Sequence, residues 1–349
     1  MSGADPMNDA ELMNDTEPMK ETDLIKDTDL TNMADEKKLV ILTGPTAVGK
    51  SALAIALAKE IGGEIISADS MQVYRHMDIG SAKIRPEEME GVPHHLIDVL
   101  EPTQEFNVVI FQKLAKAAID EIRSRGHIPI LAGGTGFYIQ AVLYDIDFTH
   151  NDEDSSLRAR LEAIARTQGN EALYERLKQI DPESCETIHA NNVKRVIRAI
   201  EFYQKTGKKI SQHNREQHEN ISPYRFAYFV LNDDRARLYA KIDRRVDEMI
   251  AQGLVTEVEK LKAMGCTREL VSMQGLGYKE ILDYLNGAHS LEEAVCLIKR
   301  DTRHFAKRQL TWFRREREVI WVDKQEFDYD SQRILDFMTG RLRERNILS

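Results

Sequence analysis

Apolar and polar positions follow two rhythms along this chain. Short runs rich in β-branched residues read as buried strands: Leu39-Val40-Ile41-Leu42, Glu64-Ile65-Ile66-Ser67, Ile128-Pro129-Ile130-Leu131-Ala132, Phe226 to Leu231, and Val319-Ile320-Trp321-Val322. Leu96-Ile97-Asp98-Val99, behind the pair His94-His95, is a shorter candidate. Between these runs apolar residues recur at helical spacing, as in Phe111, Leu114, Ala118 and Ile122, or Leu238, Ile242, Val246, Met249 and Ile250. Strands alternating with amphipathic helices predict an α/β fold, a parallel sheet flanked by helices. From about 150 to 222 the strand-like runs vanish. Only helical periods remain there: Leu157, Leu161, Ile164; Leu173, Leu177, Ile180; Val193, Val196, Ile197, Ile200. This stretch reads as a helical insertion domain, 150–222, in an α/β core made of 37–149 and 223–349.

The first strand runs into Gly44-Pro45-Thr46-Ala47-Val48-Gly49-Lys50-Ser51 and then into an alanine- and leucine-rich helix. This is the phosphate loop Gly-x-x-x-x-Gly-Lys-[Ser/Thr] in its strand–loop–helix setting, so the core is expected to resemble a P-loop NTPase. Its glycines let backbone amides turn around an anion, the helix N-terminus adds positive potential, Lys50 supplies a full charge, and the Ser51 hydroxyl can hold Mg2+. The motif calls for a polyphosphate without saying whose.

Strand ends in a doubly wound sheet line a ligand crevice. Asp69, at the end of the next strand, should therefore lie near the loop. It could serve as a general base or as a carboxylate reaching magnesium through water, the bland alternative being a helix N-cap. Gly133-Gly134-Thr135-Gly136 ends another strand. Its glycines would permit close approach to a ligand, with Thr135 projecting into the crevice. Lys194, Arg195 and Arg198 lie opposite an apolar helical stripe, and Arg244 and Arg245 flank another. Ser272 to Lys279 is a glycine-bearing break between helices. Residues 299–317 combine eight Lys and Arg with His304, Phe305, Trp312 and Phe313, a mixture suited to a phosphate backbone and stacked bases or, equally, to a packed and solvated helix.

The net charge of −10 misleads when taken whole. Residues 1–36 hold eleven acids against Lys20 and Lys26, a charge of −9, which leaves −1 for residues 37–349. That acidic, methionine-rich segment is predicted to be a disordered tail, and a nucleic-acid partner stays compatible with the remainder. No run of eighteen apolar residues predicts a membrane span. Cys185, Cys266 and Cys296 stand in no ligand spacing and read as free thiols. A cytoplasmic protein is expected.

Two classes of chemistry remain: an ATP-dependent small-molecule kinase, or a transferase whose loop grips the diphosphate leaving group of a non-nucleotide donor while a nucleic acid accepts. The helical and basic regions beyond a minimal kinase core favour the second. Seven collinear motifs then carry a resemblance: GPTAVGKS (44–51), IISADSMQVYRHMDIGSAK (65–83), GGTGFYIQA (133–141), DSSLRARLE (154–162), NNVKRVIRAIEFYQKTGKK (191–209), GLGYKE (275–280) and RHFAKRQLTWFR (303–314). Over roughly 37–323 the chain resembles the bacterial tRNA isopentenyltransferases, also called tRNA dimethylallyltransferases.

The resemblance implies transfer of a dimethylallyl group from dimethylallyl diphosphate to N6 of the adenine 3′ of the anticodon. It implies a nucleotide- or diphosphate-binding loop Gly44 to Ser51 with Mg2+ at Ser51, Asp69 as base, Thr135 at the reacting centre, and Arg158 and Arg245 approaching the diphosphate. The anticodon stem-loop would meet Asp69, Ser70, Met71 and Gln72; Lys194, Arg195, Val196, Ile197 and Arg198; and Gln274, Gly275, Leu276, Gly277, Tyr278 and Lys279. The crevice would be a channel, with tRNA at one mouth and the diphosphate at the other. The expected partners are tRNA and the isoprenoid diphosphate, with no membrane and no second subunit, so a monomer.

Overall fold

A computed structural model describes residues 37–148 and 155–349. The acidic tail expected for 1–36 lies outside them. Six strands, β1 (Lys38–Thr43), β2 (Gly63–Ser67), β3 (His94–His95), β4 (Ile128–Gly133), β5 (Arg225–Asn232) and β6 (Val319–Asp323), form one sheet in the order β3-β2-β4-β1-β5-β6. Every pairing is parallel, and the fold is α/β with a P-loop-like core. Its strands are buried on both faces, as their continuous apolar runs require. Leu39, Ile41, Tyr228 and Val230 point into one apolar cluster, while Val40, Leu42, Phe229 and Leu231 point into another across the sheet.

The expected strand at 96–99 is not formed. The edge strand is the His pair itself, matched to Ile65 and Ile66. Leu96 and Asp98 then take left-handed backbone (φ 63° and 54°), and Asp98 and Val99 donate their amides to Gln72 and Val73 instead. The histidines have a structural employer. Buried Glu64 accepts from Arg125 (Nη2, 2.7 Å) and stands 2.7 Å from His95 Nε2 and 2.6 Å from His127 Nδ1. Burial alone would raise this carboxyl, but those partners hold it down to about 2.

Helices α1 (Lys50–Ile61), α2 (Val108–Ser124) and α3 (Gly136–Leu143) follow β1, β3 and β4. Between α3 and β5 come α4 (Ser155–Gln168), α5 (Asn170–Ile180), α6 (Val193–Thr206) and α7 (Ile210–His218). A third apolar cluster of their own includes Leu157, Leu161, Leu173, Leu177, Val196 and Ile200. Buried Asp181 ties the turn after α5 to α7, accepting from both Ser184 and Ser211 hydroxyls at 2.6 and 2.7 Å. The chain then supplies α8 (Arg235–Ala251), α9 (Leu254–Ala263), α10 (Tyr278–Leu285), α11 (Leu291–Phe313) and α12 (Ser331–Glu344). No helix among the described residues is long and apolar enough to cross a membrane.

Candidate functional site

The carboxyl ends of β1, β2 and β4 converge on one crevice, as parallel sheets dictate. At the end of β1 the chain makes a loop whose bends need positive φ at Gly44 (146°), Ala47 (64°) and Gly49 (100°). Gly44 has a second reason to lack a side chain: a Cβ there would lie 2.6 Å from the Leu231 carbonyl oxygen of β5. Gly44, Pro45 and Val48 are buried framework, while Thr46, Ala47, Gly49, Lys50 and Ser51 face a cavity of about 410 Å³. Lys50 Nζ folds back on the loop, donating to the carbonyls of Gly44 (3.1 Å) and Pro45 (2.9 Å). Burial pushes its pKa down to about 8; nearby Asp69 opposes that shift and Arg245 adds to it.

Asp69 follows β2. Its Oδ1 accepts from the amides of Met71 (2.8 Å) and Gln72 (3.4 Å), which holds the carboxylate in a local turn. Gln72 continues inward, its Nε2 reaching the carbonyls of Ser81 and Ala82 at 3.5 and 3.4 Å. A second cavity, of about 540 Å³, brings together Lys50, Asp69, Ser70, Met71, Thr135 and Arg245 with Gln274, Gly275, Leu276 and Lys279. The two cavities share Thr46, Ala47, Lys50, Asp69, Ser81 and Arg245, so they meet at the cations and the carboxylate. Thr135 stands at the N-cap of α3, yet its side chain makes no cap hydrogen bond. Burial lowers the pKa of Arg245, and the carboxylates of Asp69 and Glu248 counter it.

Several expected residues stand elsewhere. Arg158 lines neither cavity; it grips Glu201 of α6 (Nη2–Oε2 2.9 Å, Nε–Oε1 3.2 Å) within the inserted helices. On α6, Lys194, Arg195 and Arg198 are exposed, but Val196 and Ile197 are buried among the apolar residues of those helices, so their side chains cannot touch RNA. Tyr278 is likewise fully buried. Its hydroxyl donates to Glu257 Oε1 (2.8 Å) and accepts from the Ser81 amide (3.0 Å). Gly277 is buried at the start of α10 and donates to Glu280 (2.8 Å).

At the turn Gly133 to Gly136, Gly133 lines the smaller cavity and Gly134 the larger one, and the glycines are also needed for close packing against protein. A Cβ would meet the Ala68 carbonyl oxygen at 2.2 Å (Gly133), Gln309 Nε2 at 2.3 Å (Gly134) or the Trp312 ring at 2.3 Å (Gly136).

Sequence reasoning missed Glu257, Lys241 and Gln309. Lys241 lines the smaller cavity while paired with buried Asp233 at 2.6 Å. Gln309 had a legible signal. It is the uncharged polar residue in the apolar stripe Phe305, Ala306, Phe313 of a basic helix, three and four residues from its neighbours.

Among the described residues no group of three or more His, Cys, Asp or Glu could hold a metal ion. The oxygen donors lining the smaller cavity include the exposed Ser51 hydroxyl in the first turn of α1 and the carboxylates of Asp69 and Glu248. That sparse set fits a magnesium ion ligated mainly by phosphate oxygens of a substrate, since Mg2+ is commonly bound through one or two protein oxygens plus phosphate and water.

Comparison with known proteins matches this architecture. Residues 72–316 match the family model described as IPP transferase. The chain is 63% identical over 310 residues to the tRNA dimethylallyltransferase of Lachnoclostridium phytofermentans, covering 89% of this chain and 99% of that protein. It is 54% identical over 287 residues to the same-named protein of Carboxydothermus hydrogenoformans, covering 82% and 92%. The crystal structure of tRNA isopentenylpyrophosphate transferase from Bacillus halodurans superposes with a TM-score of 0.67 at 46% identity, covering 89% of this chain and 98% of that one. That of a eukaryotic dimethylallyltransferase acting on tRNA does so with 0.71 at 31%, covering 83% and 74%. On the family match and on relatives of this identity and coverage, the chain belongs to the IPP transferase family.

Proposed function

We propose that this protein transfers a dimethylallyl group from dimethylallyl diphosphate to N6 of the adenine 3′ of the anticodon in tRNA, releasing diphosphate. The observation that carries the reading is the one cavity lined by Lys50, Asp69, Thr135 and Arg245. In a cavity with four cations, Lys50, Arg245, Lys279 and Arg308, and one carboxylate, Asp69, an anionic leaving group and an amine acceptor can be served side by side.

The loop amides, Lys50 and Arg245 bind the diphosphate and stabilise the charge that grows on it as the allylic C–O bond breaks. Lys50 serves best once it exchanges its loop carbonyls for phosphate oxygens. A magnesium ion arriving with the diphosphate would be held by Ser51 and, through water, Asp69, and would supply further neutralisation of the leaving group. As N6 attacks the allylic carbon, the carboxylate of Asp69 takes the amine proton. Thr135, its hydroxyl making no cap bond, can hydrogen-bond the amine or the bridging oxygen. Arg158 can reach a diphosphate only by leaving Glu201.

An adenine in an anticodon loop is stacked, and bringing it to a crevice costs a few kcal/mol of unstacking. The larger cavity, rimmed by Gln274, Gly275, Leu276 and Lys279, is the mouth of suitable size and polarity for it. Lys194, Arg195 and Arg198 on the inserted helices would grip the RNA backbone. The protein is expected to work as a cytoplasmic monomer.

None of the relatives named above is a kinase. The deciding experiment supplies unmodified tRNA with dimethylallyl diphosphate in one reaction and with ATP in another. Diphosphate release and a prenylated adenosine in the first alone are expected. ATP hydrolysis or phosphorylation without prenyl transfer would overturn the reading.

A further inference from the structure

We infer that Gln309 is a positioning residue that sets the spacing between the diphosphate loop and the Gly133–Gly136 turn. The inference rests on the transfer reading above. Gln309 Oε1 accepts from the Thr46 amide at 2.9 Å, and its Nε2 donates to the Gly134 carbonyl at 2.9 Å. The residue is 6% exposed and lines the larger cavity beside Thr46, Gly134 and Thr135. One amide from α11 thus bridges the loop that would hold the leaving group and the turn that carries Thr135.

Chemistry fixes the orientation of this amide. A backbone N–H can only donate and a backbone carbonyl can only accept, so the oxygen must face Thr46 and the nitrogen Gly134. Only a side chain with a donor and an acceptor side by side, at this reach, makes both bonds. Asparagine is one methylene shorter, and a carboxylate would face the Gly134 carbonyl with a second acceptor. Gly134 itself is shaped to the bridge, because a Cβ there would lie 2.3 Å from Gln309 Nε2. One bond farther along, Thr43 Oγ1 donates to the Gly133 carbonyl at 2.7 Å, which ties the end of β1 to the end of β4. Gln309 extends that tie past the strands, where the two loops would otherwise part.

In a displacement reaction the rate depends on how closely the nucleophile and the breaking bond are aligned, and a displacement of about 1 Å can cost about a hundredfold. Loosening the bridge should lower kcat while each substrate, held by its own loop, still binds.

Gln309→Glu tests this. Ionised, its carboxylate faces the Gly134 carbonyl. Protonated, it reproduces the amide, with O–H donating to Gly134 and C=O accepting from Thr46. We expect its kcat for dimethylallyl transfer to fall roughly ten- to hundredfold below wild type at pH 8. The ratio to wild type should recover as the pH falls toward 6, and taking the ratio cancels any pH dependence common to both proteins. Gln309→Leu should show the same loss at every pH. Dissociation constants for inorganic diphosphate and tRNA should change less than about threefold in both variants. Gly134→Ala combined with Gln309→Leu should be less than multiplicative, as two changes in one contact are. A kcat equal to wild type, a loss in Gln309→Glu that is flat with pH, or a loss confined to substrate binding would overturn the inference. Wild-type protein in the same assay separates the two claims: absence of transfer there counts against the proposed function, whereas wild-type transfer with an unaffected Gln309→Glu counts against Gln309 alone.

Discussion

The Tyr278 hydroxyl sits 2.8 Å from Glu257 Oε1, and this buried pair fastens a loop almost two hundred residues away in the chain. Glu257 Oε2 accepts from the amides of Asp78 (2.9 Å) and Ile79 (2.7 Å), and Oε1 accepts from Gly80 (3.0 Å). Gly80 packs so tightly under the tyrosine that a Cβ would lie 2.5 Å from its ring. The strapped segment Gly80 to Ala82 walls the larger cavity and receives Gln72, next to the turn that holds Asp69.

Removing the latch should therefore be felt at the cavity. Tyr278→Phe deletes two hydrogen bonds, the one donated to Glu257 and the one accepted from the Ser81 amide, which is left without its acceptor, at a cost of about 1–3 kcal/mol in stability. Glu257→Ala strands three amides and should cost more. Chemical denaturation would measure both, and steady-state assays should show the KM for tRNA rising more than that for dimethylallyl diphosphate.

Asp69→Asn is the sharpest probe of the base. Asparagine keeps an oxygen to accept from the Met71 amide but cannot take a proton. The chemical step, measured in single turnover, should slow by roughly a hundredfold or more while tRNA affinity stays near wild type. Normal turnover would remove Asp69 from the mechanism.

Lys50 predicts a pH dependence. Burial disfavours its charged form, so in the free protein it loses its proton around pH 8. Binding of inorganic diphosphate should weaken as pH rises through 8, and calorimetry at pH 8.5 in buffers of different ionisation heat should register proton uptake. The effect on folding has the opposite sense. Between about 8 and the ordinary value of 10.5 the unfolded chain binds more protons than the folded one, so this group raises stability as pH increases across that window.

On α6 the charged and apolar faces should separate cleanly. Replacing Lys194, Arg195 and Arg198 together with glutamine should weaken tRNA binding and reduce the slope of log affinity against log salt by about one for each phosphate no longer neutralised. Ile197→Ala should instead cost about 2–5 kcal/mol of stability with little change in that slope. Filter binding across a salt series and thermal melts would distinguish them.

Much of this was legible in the residues. Five strands, the helices between them, the phosphate loop and the placing of Asp69 on the cavities that Lys50 lines followed from periodicity and from the rule that parallel strands point their ends at ligands. What escaped reading were contacts set by tertiary packing. Gly133, Gly134 and Gly136 invited a ligand on paper, yet their space is filled by Ala68, Gln309 and Trp312. Tyr278 falls in a stretch that the resemblance assigns to RNA, but its hydroxyl is bound to Glu257, 21 positions away. Val196 and Ile197 were swept in with the basic residues beside them, although the helical period already put them on the apolar face. The strand expected at 96–99 failed because its amides pair with Gln72 and Val73, a competition no local window contains.

The central strand β1 joins β4 on one side and β5 on the other, and the piece that links its loop to the glycine turn, α11, ends only at Phe313. A growing polypeptide emerges from its N-terminus onward. The anion loop and the glycine turn are thus translated early, but the brace that would align them is translated late. A nascent chain stopped between the glycine turn and this helix carries both halves of the machinery without the brace, so their alignment waits until the ribosome has passed Phe313.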